Sequence, residues 1–251
     1  MTYKNFTIHY FDELSSTNSE AMSQAGNRQI FDREIIVARK QAKGRGRMDR
    51  GWSSPEGNLY CSLVLQPKVL AAQVAQVSFV AIVALRQAVE ELAAKKNIDI
   101  QNKWPNDLLI DGKKVAGLLL ESKINQQNCE FVVLGIGVNI NSNPDNTIFP
   151  AGNLSQFEIA IEPEILLQKF LDKFEILYQN WQDFGFANVR NAWLSKAYRL
   201  KEKILAREGE GEVEGIFEDM DSDGALILLV EGEAKKIAVA DIYSTAESFR
   251  A

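Results

Sequence analysis

Residues 103–122 read KWPNDLLIDGKKVAGLLLES, and the middle of this stretch decides the fold class. Asp111-Gly112 separates two apolar runs. An Asp-Gly pair in that setting is the preferred sequence of a type I′ turn, which needs positive φ at both central residues. An antiparallel hairpin is therefore expected. Upstream, Pro105 keeps Trp104 out of helical backbone and Asn106-Asp107 favour a tight turn, so the WPND corner fixes where the hairpin begins. Lys113 and Lys114 are neighbours on a strand and must face opposite ways, one toward a cleft and one toward solvent. Strict alternation turns Gly117 away from Lys114, leaving room beside its backbone.

Outward from the hairpin, strand patterns recur at Phe6–Phe11, Glu34–Arg39, Leu59–Gln66 and Phe131–Ile140, the third by alternation. Helical patterns are fewer. A capping box, Thr17-x-x-Glu20, opens a short helix within SSTNSEAMSQA. Ala71–Lys96 is apolar around most of its circumference, which predicts a central, heavily packed helix. Pro163–Asp183 carries Ile165, Leu166, Phe170, Phe174, Leu177 and Trp181 at helical spacing. Strands outnumber helices and at least one hairpin is present. The expectation is an α+β fold with a mixed or antiparallel sheet and packed helices, not a doubly wound parallel sheet. From Lys201 onward there are 13 acids against 6 bases, and short strand-like runs alternate with turn signals (GEGE, DSDG, EGE). This predicts two domains, 1–199 and 200–251, the second a small β-barrel that leans on the first.

Composition narrows the chemistry. The chain has 251 residues, 46% of them apolar, and a net charge of −6, which excludes disorder and collagen-like architecture. The longest apolar window, Ala71–Ala94, is interrupted by Gln73, Gln76, Ser78, Arg86, Gln87, Glu90 and Glu91. It falls short of the roughly 18 uninterrupted apolar residues of a membrane span. No secretory signal is visible at the N-terminus, so a cytoplasmic protein is expected. Cys61 and Cys129 lie in apolar strand-like runs and read as buried, reduced thiols. The single histidine, His9, falls in an alternating strand. Zinc chemistry and Ser/His/Asp catalysis are disfavoured, and a chain this poor in histidine must work by positioning and electrostatics, or bind rather than catalyse.

Positive charge is concentrated in one loop. Residues 39–50, RKQAKGRGRMDR, carry six bases and one acid. Duplex DNA requires a basic face spread over several elements; one glycine-punctuated basic loop suits a compact anion such as a nucleotide phosphate. Gly44 and Gly46 are expected to supply positive φ and close approach, Arg45 and Arg47 planar forked donors for phosphate or carboxylate oxygens. The third motif, GIGVNIN at 135–141, lacks the third glycine and the strand-to-helix step of a dinucleotide site. Gly135 and Gly137 instead thin a strand where a ligand or another backbone comes close, and Asn139 offers an amide to a base or sugar.

SSTN (Ser15–Asn18), QAKGRGRMDRGW (Gln41–Trp52), KWPND, the KKVAG run and GIGVNIN, in that order and with family-like spacing over nearly the whole chain, resemble the biotin protein ligases. The resemblance implies a class II synthetase-like catalytic domain and a C-terminal SH3-like barrel. It also implies a two-step reaction, in which biotin and Mg-ATP give biotinyl-5′-AMP and pyrophosphate, and a lysine of a biotin carboxyl carrier protein then takes the biotinyl group and releases AMP. By the same resemblance Ser16, Thr17 and Asn18 bind the ureido ring, while Gln41 and the Gly44-Arg45-Gly46-Arg47 loop close over biotin and the adenylate phosphate. Lys114 contacts the biotin carboxylate and new anhydride as principal catalytic residue, with Arg45 beside it, and Gly117 belongs to the same biotin site. Trp52 packs near adenine, and Asn139 contacts base or ribose. Lys103, Asn106 and Asp107 lie on the ATP side, where Asp107 is a candidate ligand for Mg²⁺. ATP, Mg²⁺ and biotin are thus the small molecules implied, the carrier domain the macromolecular partner, and monomer and homodimer both remain open. Nucleic acid and membrane are not expected as partners.

Two departures from the family pattern stand out. Fifteen residues precede Ser16 and read as a strand, leaving no space for the winged-helix DNA-binding domain of bifunctional members. The C-terminal arginine that some members direct toward ATP has no clear counterpart, Arg250 being at the extreme end, so the barrel's contact with ATP stays open. A lipoate protein ligase is the nearest enzyme alternative, but the GGG segment and following His-Asp pair typical of that group are absent. A regulator that holds biotinyl-AMP without transferring it is the binding-only alternative; the net −7 of the C-terminal segment speaks against a DNA-reading role.

Overall fold

The computed structural model describes residues 1–48, 50–145, 147, 149–208 and 211–244. Eight strands make the larger sheet: β1 (Thr2–Tyr3), β2 (Phe6–Leu14), β3 (Glu34–Gln41), β4 (Leu59–Leu65), β5 (Ile100–Lys103), β6 (Asp107–Ile110), β7 (Lys113–Asn125) and β8 (Asn128–Val138), in the order β1-β2-β3-β4-β8-β7-β6-β5. β2 and β3 run parallel, and every other neighbouring pair is antiparallel. The parallel step needs a crossover, which α1 (Thr17–Gly26) supplies. The fold is α+β with a mixed sheet, as the hairpin and strand pattern lead one to expect. Asp111 and Gly112 take φ of 47° and 75°, the positive values of the expected turn.

The two sheet faces are put to different uses. One packs against α2 (Gln76–Leu92), α3 (Pro163–Phe184) and α4 (Ala187–Leu194), burying Cys61, Leu63, Val132, Leu134 and Val138 from the central strands. The other receives α1, with Ala21 and Ala25 against Ile36, Val64, Phe131 and Val133. Because both faces are covered, every residue of β4 is buried, and the strand does not show the half-exposed alternation its sequence suggests. α2 begins later than its pattern predicts because Ala71–Gln73 form a separate 3₁₀ turn. By length and composition Ala71–Leu92 could cross a membrane, yet 78% of its apolar window is buried in the protein, which accounts for its apolar circumference.

Two local readings are corrected. The N-cap of α1 is Ser16, whose Oγ accepts from the Ser19 amide at 3.4 Å. Thr17 forms no capping box with Glu20, because its own amide is drawn across to Gln41 Oε1 at 2.8 Å, while Glu20 accepts from Gln24. On β7 the alternation is broken: Leu108 of β6 opposes Ala116 and Leu109 opposes Lys114, so Val115 is an extra residue. A one-residue bulge turns the following side chains to the other face. Lys114 and Gly117 therefore share a face, and a Cβ on Gly117 would stand 3.2 Å from Lys114 Cε.

The remaining strands, β9 (Lys203–Glu208), β10 (Gly211–Met220), β11 (Leu226–Val230), β12 (Glu233–Ile237) and β13 (Asp241–Ser244), form an antiparallel five-stranded sheet in the order β12-β11-β10-β9-β13. Buried contacts from α2 and the β5–β6 corner help to dock it on the rest of the chain. Trp104 Nε1 donates to the Gly224 carbonyl at 3.0 Å, Gln76 Nε2 donates to the Ser222 carbonyl at 3.0 Å, and the Phe79 ring lies where a side chain on Gly224 would be. Gln76 also accepts from Trp181 Nε1 at 2.8 Å, so one buried amide ties α2, α3 and the second sheet together. Arg250 lies outside the described residues. Cys61 is fully buried, its thiol pushed up to about 12 by loss of solvation. Cys129 is only half-buried, against expectation, since it sits beside the turn that closes the β7–β8 hairpin.

Candidate active site

On the α1 face the sheet is floored by residues that alternate along the central strands: Ser62 on β4, Gly135 and Gly137 on β8, and Gly117 and Leu119 on β7. Where side chains are missing, a cavity of about 470 Å³ opens, within the range of small-molecule sites. Its walls are α1, the basic loop after β3, the WPND corner, Asn139, Pro144, Thr147, Phe149 and Ala151 and, from the second sheet, Asp241 and Tyr243. Five cationic side chains and two carboxylates line it, in a chain whose net charge is −6. The cavity is a local reversal of the protein's sign.

Its two ends differ in chemistry. At one end, Ser16, Thr17 and Asn18 are all buried, the last two joined through Ser62 by short polar contacts. Ser62 Oγ lies 2.8 Å from Thr17 Oγ1 and 2.6 Å from Asn18 Oδ1. Thr17 Oγ1 donates to Gln41 Oε1 at 3.2 Å, and Gln41 Nε2 donates to Ser54 Oγ at 2.9 Å. This is a neutral slot of hydroxyls and amides. A Cβ on Gly135 would come within 2.2 Å of Asn18 Oδ1, so the slot exists only because that position is glycine.

At the other end charge dominates. Lys114 Nζ is 2.7 Å from Asp107 Oδ1 and 5.3 Å from the centre of the Trp52 ring. Lys103, almost fully buried, holds its Nζ 3.8 Å from Asp107 Oδ2 and 4.6 Å from the centre of the Phe149 ring. Asn106 donates to the Leu118 carbonyl and accepts from Arg47 at 3.4 Å, which pins the corner between β5 and β6 to both β7 and the basic loop. Arg47 also reaches the Ala240 carbonyl, and Arg50 meets Asp241 at 2.8 Å. Burial alone would raise the Asp241 carboxyl, but Arg50, Lys103 and Arg47 hold it below the usual carboxylate range. Loss of solvation lowers Arg47, against the pull of Asp241 and Asp107. Desolvated cations held by a few carboxylates are poised for an incoming anion.

The structure brings together at this cavity the sequence candidates Ser16, Thr17, Asn18, Gln41, Arg45, Gly46, Arg47, Trp52, Lys103, Asn106, Asp107, Lys114, Gly117 and Asn139. Gly44 is set apart. Neither Gly44 nor Gly46 takes positive φ; in this loop Met48 does. Gly44 is glycine for a different reason, since a Cβ there would stand 2.3 Å from the Trp52 carbonyl oxygen, and the loop closes on itself through Trp52 N to Gly44 O at 2.9 Å. The Trp52 ring covers two bare strand positions, 2.7 Å from where a Cβ on Gly137 would stand and 3.1 Å from one on Gly117. Asn139 is buried and donates to the Gly152 carbonyl at 3.1 Å, while its Oδ1 has no partner among the described residues. Asp107 is clasped by two ammonium groups, and no cluster of three or more His, Cys, Asp or Glu side chains able to hold a metal occurs among the described residues. A lone carboxylate already paired in this way does not make a metal site of its own.

Several wall residues were not foreseen. Ser62 was legible as the one serine inside the apolar run LYCSLVL. Phe149, Asp241 and Tyr243 carried no local signal, because they reach the cavity from distant loops and from the second sheet.

The profile of the biotin/lipoate A/B protein ligase family matches residues 10–139, and that of the biotin protein ligase C-terminal domain matches residues 202–243. The chain belongs to the biotin protein ligase family. It is 40% identical over 91% of its length to the biotin–[acetyl-CoA-carboxylase] ligase of Paracoccus denitrificans, covering 96% of that protein. It is 36% identical over 93% of its length to the bifunctional ligase/repressor BirA of Bacillus subtilis, of which it covers 72%. Among solved structures, the biotin protein ligase of Aquifex aeolicus in complex with biotin and ATP superposes with a TM-score of 0.80 at 26% identity, over 94% of this chain and 97% of that one. Both the catalytic part and the C-terminal sheet thus have counterparts among biotin protein ligases.

Proposed function

We propose that the protein activates biotin with ATP to biotinyl-5′-AMP and transfers the biotinyl group to a lysine of a biotin carboxyl carrier domain, as in an acetyl-CoA carboxylase. One observation carries the reading: a single cavity joins a neutral hydroxyl and amide slot to a cationic end across a floor of bare glycines. That sequence of surfaces matches a molecule with a uncharged ring carrying both N–H and C=O edges, an apolar tail and a carboxylate that is to meet a phosphate.

In the first step the biotin carboxylate attacks the α-phosphorus of MgATP and pyrophosphate leaves; in the second the acceptor amine attacks the acyl carbon and AMP leaves. Ser16, Thr17, Asn18 and Gln41 hold the ring, and Gly117 leaves room for the tail. Lys114 Nζ, steered by Asp107 and packed on Trp52, neutralises the carboxylate and the charge that develops as the anhydride forms. Arg45 and Arg47 cover the phosphate, with Gly44 and Gly46 shaping the loop that carries them. Lys103 and Asn106 serve the ATP side, and the unpartnered Oδ1 of Asn139 suits an amino group of the base. Mg²⁺ would enter as part of the nucleotide, and Asp107 acts as the partner of Lys114. Neither step needs a covalent enzyme intermediate, consistent with the inert Cys61. We further propose that residues 200–251 form an SH3-like barrel beside a catalytic domain at 1–199, and that the enzyme works in the cytoplasm, where MgATP and carrier domains are found together.

The test is incubation with MgATP, biotin and a carrier domain, followed by avidin blotting. Label on the carrier with biotin, and none with lipoate in a parallel lipoyl-domain reaction, is the expected result. Adenylate formed and retained without transfer would make the chain a binding regulator, and transfer of lipoate would reassign the substrate.

A further inference from the structure

Glu121, on β7, belongs to none of the roles above, yet it touches both ends of the site. Its Oε2 accepts from Asn18 Nδ2 at 2.9 Å and from Arg45 Nη2 at 2.6 Å. The same oxygen therefore holds a buried amide of the slot and a guanidinium of the basic loop.

The amide has only one orientation that satisfies its neighbours. Asn18 Nδ2 faces two acceptors, Glu121 Oε2 and the Leu119 carbonyl at 3.2 Å, while Oδ1 faces the Ser62 hydroxyl at 2.6 Å and the bare backbone of Gly135. Turning the amide would press its oxygen against a carboxylate and a carbonyl, neither of which can donate. The carboxylate thus fixes Asn18 with an acceptor oxygen beside the gap left by Gly135. Both N–H groups of the amide are already spent on Glu121 and Leu119, so a ligand meets Asn18 as an acceptor only.

We infer that Glu121 is a positioning residue: through one carboxylate oxygen it orients the Asn18 amide to accept from a ring N–H and anchors Arg45 of the lid over the same slot. This rests on the reading of the slot as the ring site of a biotin ligase, and it adds a selectivity. A cyclic urea or amide with a free N–H at that edge is accepted, and a ring with a lone pair or methyl group there is refused. Seating of the ring and placement of the lid are tied together, because Arg45 and Asn18 share their anchor.

Two substitutions separate the two tasks. In Glu121→Ala both are lost. In Glu121→Gln the side-chain oxygen can still accept from Asn18, but the charge that holds Arg45 is gone. Expected for E121A is a rise of about tenfold or more in the KM for biotin in pyrophosphate release, with kcat within about threefold of wild type. Expected for E121Q is a KM within about threefold of wild type, together with escape of biotinyl-AMP roughly tenfold faster in a chase experiment. Wild type should discriminate strongly against ring-N-methylated biotin, and E121A should discriminate less. Unmoved KM and escape in both variants, or a KM rise in E121Q equal to that in E121A, overturns the inference while leaving the ligase reading intact. Failure of wild type to form adenylate at all sinks the ligase reading and this inference with it. Melting curves report whether each variant folds; should E121A not fold, the predicted split of KM from escape in E121Q decides alone.

Discussion

The neutral end of the cavity and its charged end hold their side chains by different means. In the slot, Thr17, Asn18, Ser62 and Gln41 are linked to one another and to backbone, and each is fixed before any ligand arrives. At the other end Lys114, Arg47 and Arg50 are tied by ion pairs to Asp107 and Asp241, partners that an incoming anion can replace. Pre-set hydrogen bonds give discrimination because a wrong ligand leaves buried groups unpaired. Exchangeable ion pairs give charge stabilisation that can follow oxygen atoms as bonds change. On the proposed function, selectivity therefore belongs to the slot and rate to the cations.

The largest effect that this division demands is at Lys114. Lys114→Ala should lower adenylate formation by on the order of 10²–10³-fold while biotin binding by titration changes little; equal loss of both would erase the distinction between the two ends. Next comes Gly135→Ala. The new methyl would meet the Asn18 oxygen at 2.2 Å, on a strand that cannot yield, and biotin KM should rise at least about tenfold with kcat much less affected. A fall in kcat alone would place the reacting atoms, not the ring, over Gly135. Arg45→Ala is expected to speed escape of the adenylate about tenfold, less so at high salt, where the ion pair is already screened; retention unchanged at all salt concentrations would remove Arg45 from the lid. The smallest effect is at Asp241. Asp241→Asn should lower the melting temperature by about 2 °C at neutral pH. The folded carboxyl is held below its ordinary value, so its contribution is complete above the unfolded value of about 3.9 and fades as pH falls through the folded one. Wild type and D241N should accordingly converge in strong acid and differ at neutral pH; a gap that widened in acid would show that Asp241 is protonated in the native state.

What could be read from the sequence follows the range of the forces involved. The hairpin turn at Asp111-Gly112, the buried helix α2 and the amphipathic α3 are dictated by residues close in the chain, and all three are found. The candidate residues of the site converge on one cavity because they stand in short motifs at strand ends. The bulge at Val115 was invisible, since alternation is the default and nothing in KKVAG announces an extra residue. The Thr17 capping box failed because Gln41, from another strand, outbid the local partner. Asp241 and Tyr243 enter the cavity only through docking of the second sheet, which depends on Trp104 and Gln76 meeting backbone more than a hundred residues away. Gly44 was expected to supply positive φ, whereas its requirement is steric and arises from a carbonyl eight residues further on.

The extra residue at Val115 has a meaning for how such a site could change over evolutionary time. Side chains on a strand obey parity, and a single insertion exchanges odd for even. With Val115 deleted, Gly117 and everything after it on β7 would swap sides relative to the amine, and the bare floor would turn toward the helices. The amine and the floor would no longer belong to one compartment. A drift in chain length at this point is thus not graded but all or none.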